Sequence, residues 1–100
     1  MLPQVPTITA AQLAEALESE RAPLVLDVRE DMEIAADSLP DILHIPLGEL
    51  QLRVDEIPAG QPVAVICRSG NRSAHATAYL ISEGYEAVNV EGGMMAYRNL

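Results

Sequence analysis

The chain has 100 residues, 49% of them apolar, with 15 acidic and six basic side chains and a formal charge of −9. That length holds one domain, residues 1–100, and the acidity excludes a general affinity for nucleic-acid phosphates or anionic membranes. A single cysteine excludes an internal disulfide. With neither a signal peptide nor a membrane-length apolar run in the sequence, the expectation is a soluble, cytoplasmic protein in a reducing compartment.

In chain order, Thr9 and Gln12 form a capping-box pattern, followed by a helix whose apolar face carries Ala10, Leu13, Ala14 and Leu17. It stops at residues 19–22, before Pro23. LVLDV (24–28) reads as a buried strand and REDMEIA (29–35) as a short helix or turn leaving it. DSLPD (37–41) is a loop, ILHI (42–45) a strand ended by Pro46, and residues 48–57 a helix. Its apolar positions are Leu47, Leu50, Val54 and Ile57. VAVI (63–66) is the clearest buried strand. A helix over 73–83 follows, with Ala74, Ala78 and Ile81 on its apolar side, Thr77 and Leu80 beside them, and Gly84 as its left-handed terminator. EAVNV (86–90) is a further strand, EGG (91–93) a turn, and MMAYRNL opens a last helix.

Strands alternating with helices imply a parallel sheet covered on both faces, with ligands beyond the carboxyl ends of the strands. Cys67 stands at that end of the strand expected at the sheet's centre. The stretch CRSGNRS joins this strand to a helix, so its amides and the orphan N–H groups of the helix converge on one anion. Gly70 permits the left-handed backbone that curls the loop, and Ser73 suits the N-cap or first turn. There is no lysine, and Arg68 and Arg72 place two of the six arginines beside the loop. A sulfur in such a nest is favoured as thiolate and becomes a nucleophile near neutral pH. The bland alternative is an inert buried cysteine, but such a residue does not need two arginines, a glycine and two serines directly after it.

Four blocks carry a resemblance to single-domain rhodaneses: LVLDVRE at 24–30, IPLGEL at 45–50, VICRSGNRSAHA at 65–76 and VNVEGGMMAY at 88–97. Their order and spacing cover nearly the whole chain. The resemblance implies a three-layer α/β fold: a central, mainly parallel sheet of about five strands with helices on both faces. It further implies a sulfurtransferase that needs no cofactor. Cys67 would take a sulfane sulfur from a small anionic donor such as thiosulfate and pass it, as persulfide, to cyanide, a thiol or a sulfur-carrier protein. Arg68, Ser69, Gly70, Asn71, Arg72 and Ser73 would bind the substrate, with Arg68 and Arg72 attracting the donor. One stretch departs from the family's pattern: Gly-His-Ile-Pro-Gly-Ala is replaced from Asp37 on, with only Pro40 kept.

Asp27 and Arg29 follow the first long strand and read as an ion pair supporting the pocket. His44 reads as a strand residue, His75 as an exposed helix residue, and Glu91 as part of a turn; Cys67 with the two histidines lacks zinc-ligand spacing. Two rival functions differ in class. A cysteine phosphatase or arsenate reductase needs an arginine six residues after the cysteine, whereas Arg72 is the fifth. A non-catalytic interaction module of the same fold would not need Cys67 at all.

Overall fold

The computed structural model describes residues 1–100. Five parallel strands form one sheet: β1 (Thr7–Ile8), β2 (Leu24–Asp27), β3 (Leu43–His44), β4 (Val63–Ile66) and β5 (Ala87–Val90). Their spatial order is β1-β5-β4-β2-β3, which puts β4 at the centre. The helices are α1 (Ala10–Leu17), α2 (Asp31–Ala36), α3 (Leu50–Arg53), α4 (Asn71–Ser82) and α5 (Gly93–Arg98).

The period of two along β4 divides the core. Val63, Val65 and Cys67 face one cluster with Leu26, Leu50, Ala76 and Leu80, which α3 and α4 close. Ala64 and Ile66 face the other, with Val25, Leu13, Val90 and Met94, which α1 and α5 close. The expected three layers are therefore present, and each strand of the sheet's middle is buried on both sides.

The capping box forms as expected: the Thr9 side chain accepts from the Gln12 amide at 3.0 Å, and the Gln12 side chain accepts from the Thr9 amide at 2.8 Å. Gly84 ends α4 with φ +93. Three expectations change. β1 was not expected; two residues are too short to show a period, and the strand exists through Asn89 N–H donating to the Pro6 carbonyl and Glu91 N–H to that of Ile8, both at 2.9 Å. Residues 48–57 are not one helix but α3 between 3₁₀ turns at Leu47–Glu49 and Val54–Glu56. The spacing of three between Leu47 and Leu50, and between Val54 and Ile57, suits that tighter winding. Finally, α4 starts at Asn71, and its buried side is Ser73, Ala74, Ala76, Thr77 and Leu80. Ile81 is 41% exposed. Apolarity alone misplaces this face, because Thr77 satisfies its hydroxyl inside the helix by donating to the Ser73 carbonyl at 2.7 Å.

The loop that departs from the family's pattern is tied down at its first residue and turns sharply at its last. Asp41, after Pro40, adopts φ +57, a left-handed position that aspartate tolerates better than most residues. Asp37 pairs with Arg98 of α5, and its carbonyl accepts from Arg29 at 2.8 Å.

Candidate active site

Cys67 directly follows β4 and is 1% exposed. Its Sγ accepts from the Gly70 amide at 3.1 Å and the Ser73 amide at 3.3 Å, and lies 3.2 Å from the Ser73 hydroxyl. Burial pushes the thiol's pKa up. The Ser73 hydroxyl, when its hydrogen turns to the sulfur, and the amides of Ser73, Gly70 and Ser69 outweigh that, and the sulfur ionises below the ordinary thiol value.

The backbone explains why the amides converge. Gly70 has φ +99 and serves as the N-cap of α4, turning the chain back over the sulfur. A Cβ there would meet the Gly92 nitrogen at 3.2 Å. The other side of the loop is backed by α5: Met94 N–H donates to the Cys67 carbonyl at 2.8 Å and Met95 N–H to the Arg68 carbonyl at 3.0 Å. Such contact requires glycine at 93, where φ is +55 and a Cβ would lie 2.3 Å from the Cys67 carbonyl oxygen.

The loop residues expected to bind substrate separate into two groups. Arg68, Ser69 and Asn71 are exposed, whereas Gly70 and Ser73 are buried. Arg72 is half-buried and makes a bidentate pair with Glu33 of α2, at 2.6 and 2.8 Å. That hydrogen-bonded pairing with the Arg72 guanidinium holds the Glu33 carboxyl down at about 2. Glu33 also accepts from the Glu30 amide at 3.0 Å, so one carboxylate caps α2 and ties it to the loop. Among the arginines around the loop, Arg29, Arg72 and Arg98 each hold an acidic side chain; Arg68 holds none. A shallow cavity of about 420 Å³ opens beside the loop between α2 and α5, with Arg29, Glu33, Arg68, Met95 and Arg98 on its wall.

Asp27 and Arg29 form a buried ion pair at 2.9 Å, and Asp27 Oδ1 also accepts from the Arg29 amide at 3.0 Å. The pair fixes the end of β2 beside that cavity. His44 Nε2–H donates to the Arg29 carbonyl at 2.7 Å, and His75 is exposed on α4. Glu91 is exposed and accepts from the Thr7 hydroxyl at 3.2 Å.

Two residues of the site were missed in the sequence. Glu33 is Arg72's partner across 39 positions, and buried Asn89 of β5 touches both Ser73 and Gly70. The one available signal for Asn89 was a polar residue at an inward position of a strand reading EAVNV.

Residues 9–100 match the Rhodanese-like domain family. The chain is 38% identical to a sulfurtransferase of Allochromatium vinosum, over 90% of this chain and 85% of that protein. It is 34% identical to the thiosulfate sulfurtransferase GlpE of Pseudomonas syringae pv. syringae, over 85% of this chain and 80% of that protein. Among solved structures, a rhodanese-related protein from Thermoplasma volcanium superposes with a TM-score of 0.89 at 37% identity, covering 95% of this chain and 92% of the other.

Proposed function

The chain belongs to the rhodanese-like domain family, and from that premise we propose that it is a sulfurtransferase working through a persulfide on Cys67. The observation that carries this is a lone sulfur, at the carboxyl end of the central strand, receiving hydrogen bonds from two loop amides at 3.1 and 3.3 Å. Such donors stabilise a sulfur anion before and after sulfur uptake.

With thiosulfate as donor, the Cys67 thiolate attacks the outer sulfur. The new S–S bond forms as the old one breaks, and sulfite leaves with the bonding electron pair. A thiophile then attacks the outer sulfur of the persulfide, and Cys67 leaves as thiolate. Both steps are displacements at sulfur, so no general base, metal or cofactor takes part. Arg68, exposed and without an acidic partner, attracts the dianion. Ser69, Gly70, Asn71 and Ser73 shape the ring around the sulfur. Arg72 acts mainly by holding α2 against the loop, since Glu33 offsets its charge. An arginine committed in this way also argues against phosphate binding. Cyanide serves as the assay acceptor; a thiol or a sulfur-carrier protein is the cellular one.

The test is the intact mass after incubation with thiosulfate and then with cyanide, with Cys67→Ser in parallel. The native protein gains one sulfur atom and returns it as thiocyanate, and Cys67→Ser gains nothing. If the native protein stays unmodified with thiosulfate and with other persulfide donors, the chain is a binding module and this mechanism is wrong.

A further inference from the structure

Asn89 projects from β5 into the loop and is 6% exposed. Its Nδ2 donates to the Gly70 carbonyl at 3.0 Å. A carbonyl only accepts, so this bond fixes which end of the amide faces which way. The other end, Oδ1, lies 2.5 Å from the Ser73 hydroxyl and can only accept, so the hydroxyl hydrogen points to Asn89. What Ser73 offers Cys67, 3.2 Å away, is therefore a lone pair. In the thiol state the donors run one way: sulfur to Ser73, Ser73 to Asn89, Asn89 to Gly70. No buried side-chain nitrogen or oxygen is left without a partner.

Ionisation breaks that order. A thiolate only accepts, and the Ser73 hydroxyl helps it only by turning away from Asn89, which strands a buried oxygen. We infer that Asn89 competes with Cys67 for the single hydroxyl proton of Ser73, and so sets how readily the sulfur becomes an anion. Asn89 is thus a positioning residue: its side chain hydrogen-bonds to Ser73 and Gly70, not to the sulfur, and acts through Ser73.

Charged groups on the surrounding elements are Arg68 on the loop, Arg72 on α4, Glu30 and Glu33 beside and on α2, Asp27 and Arg29 at the end of β2, Glu91 after β5 and Arg98 on α5. His75 lies exposed on α4. None of them hydrogen-bonds to the side chain of Ser73 or Asn89. The inference deepens the proposed function, since it concerns the same nucleophile, but it can be tested with no sulfur donor present.

The experiment is a pH titration of the Cys67 ¹³Cβ chemical shift, unambiguous in a chain with one cysteine. It is run on the native protein, Asn89→Leu, Ser73→Ala and the double variant. Freed from Asn89, the hydroxyl serves the thiolate, so Asn89→Leu lowers the Cys67 pKa by about one unit, tenfold more thiolate at a fixed lower pH. In the Ser73→Ala background the same substitution has no such effect. Loss of the Gly70 bond is common to both backgrounds and cancels in the difference. A shift equal in the two backgrounds, an upward shift, or no shift overturns the inference. Asn89→Ala repeats the cycle if leucine does not fold. Persulfide formation does not enter the readout, so a sulfurtransferase with no coupling and a coupled site with no sulfur transfer are told apart.

Discussion

At the scale of single residues, the site contrasts two arginines that look equivalent in CRSGNRS. Arg72 is bound in a bidentate pair, whereas Arg68 stands exposed at the cavity without one. Arg68→Ala should therefore raise the KM for thiosulfate about tenfold while leaving kcat nearly unchanged, the signature of lost substrate binding. Steady-state kinetics with thiosulfate and cyanide read this directly, and an unchanged KM removes Arg68 from donor capture. The placing of Cys67 at a strand end and the curl of the loop's amides around it at Gly70 were legible because their logic is local, a few consecutive residues. That Arg72 is paired and Arg68 is not was hidden, since the pairing depends on Glu33, 39 positions earlier.

At the scale of elements, α2 is a short helix with no buried residue. It is fixed instead by the Glu33–Arg72 pair. The carboxyl of Glu33 titrates at about 2 in the folded protein, below its ordinary 4.5. Its folded pKa is depressed, so the pair's contribution to stability is complete above about pH 4.5 and is lost as pH falls towards 2. Thermal melts between pH 6 and pH 2 should show this: Glu33→Gln has a lower Tm at neutral pH, and the gap to the native protein closes in acid. A gap that stays constant would mean that the carboxylate's charge is not what holds α2. The same substitution leaves the Arg72 charge uncompensated near Cys67 and so favours the thiolate. Elements with a full period or a cap, such as α1 and β4, were legible in the sequence. The two-residue β1 and the polar inner side of α4 were not, because their stability comes from backbone pairing and hydroxyl bonds.

At the scale of the whole molecule, a net charge of −9 surrounds a site whose proposed donor is an anion. The charge repels thiosulfate at long range, so a local cation at Arg68 is needed to offset it. It attracts a basic acceptor instead. The association rate of a basic sulfur-carrier acceptor should fall about tenfold as salt rises from 10 mM to 0.5 M, measured by stopped-flow. A rate independent of salt would exclude steering by the acidic surface. The parallel sheet and its two cores followed from the alternation of strands and helices and from the buried runs. The strand order did not, because it places the first strand beside the last.

The contact of α5 with the loop, through Gly93 and the amides of Met94 and Met95, also sets a sequence of events in time. The ribosome delivers Cys67 and its ring of amides well before the residues that brace them from behind, and Asn89 too arrives late. A growing chain that has emerged only through α4 carries the nucleophile without its support. The backing of the loop by β5 and α5 is therefore complete only after the nucleophile and its amides have left the ribosome.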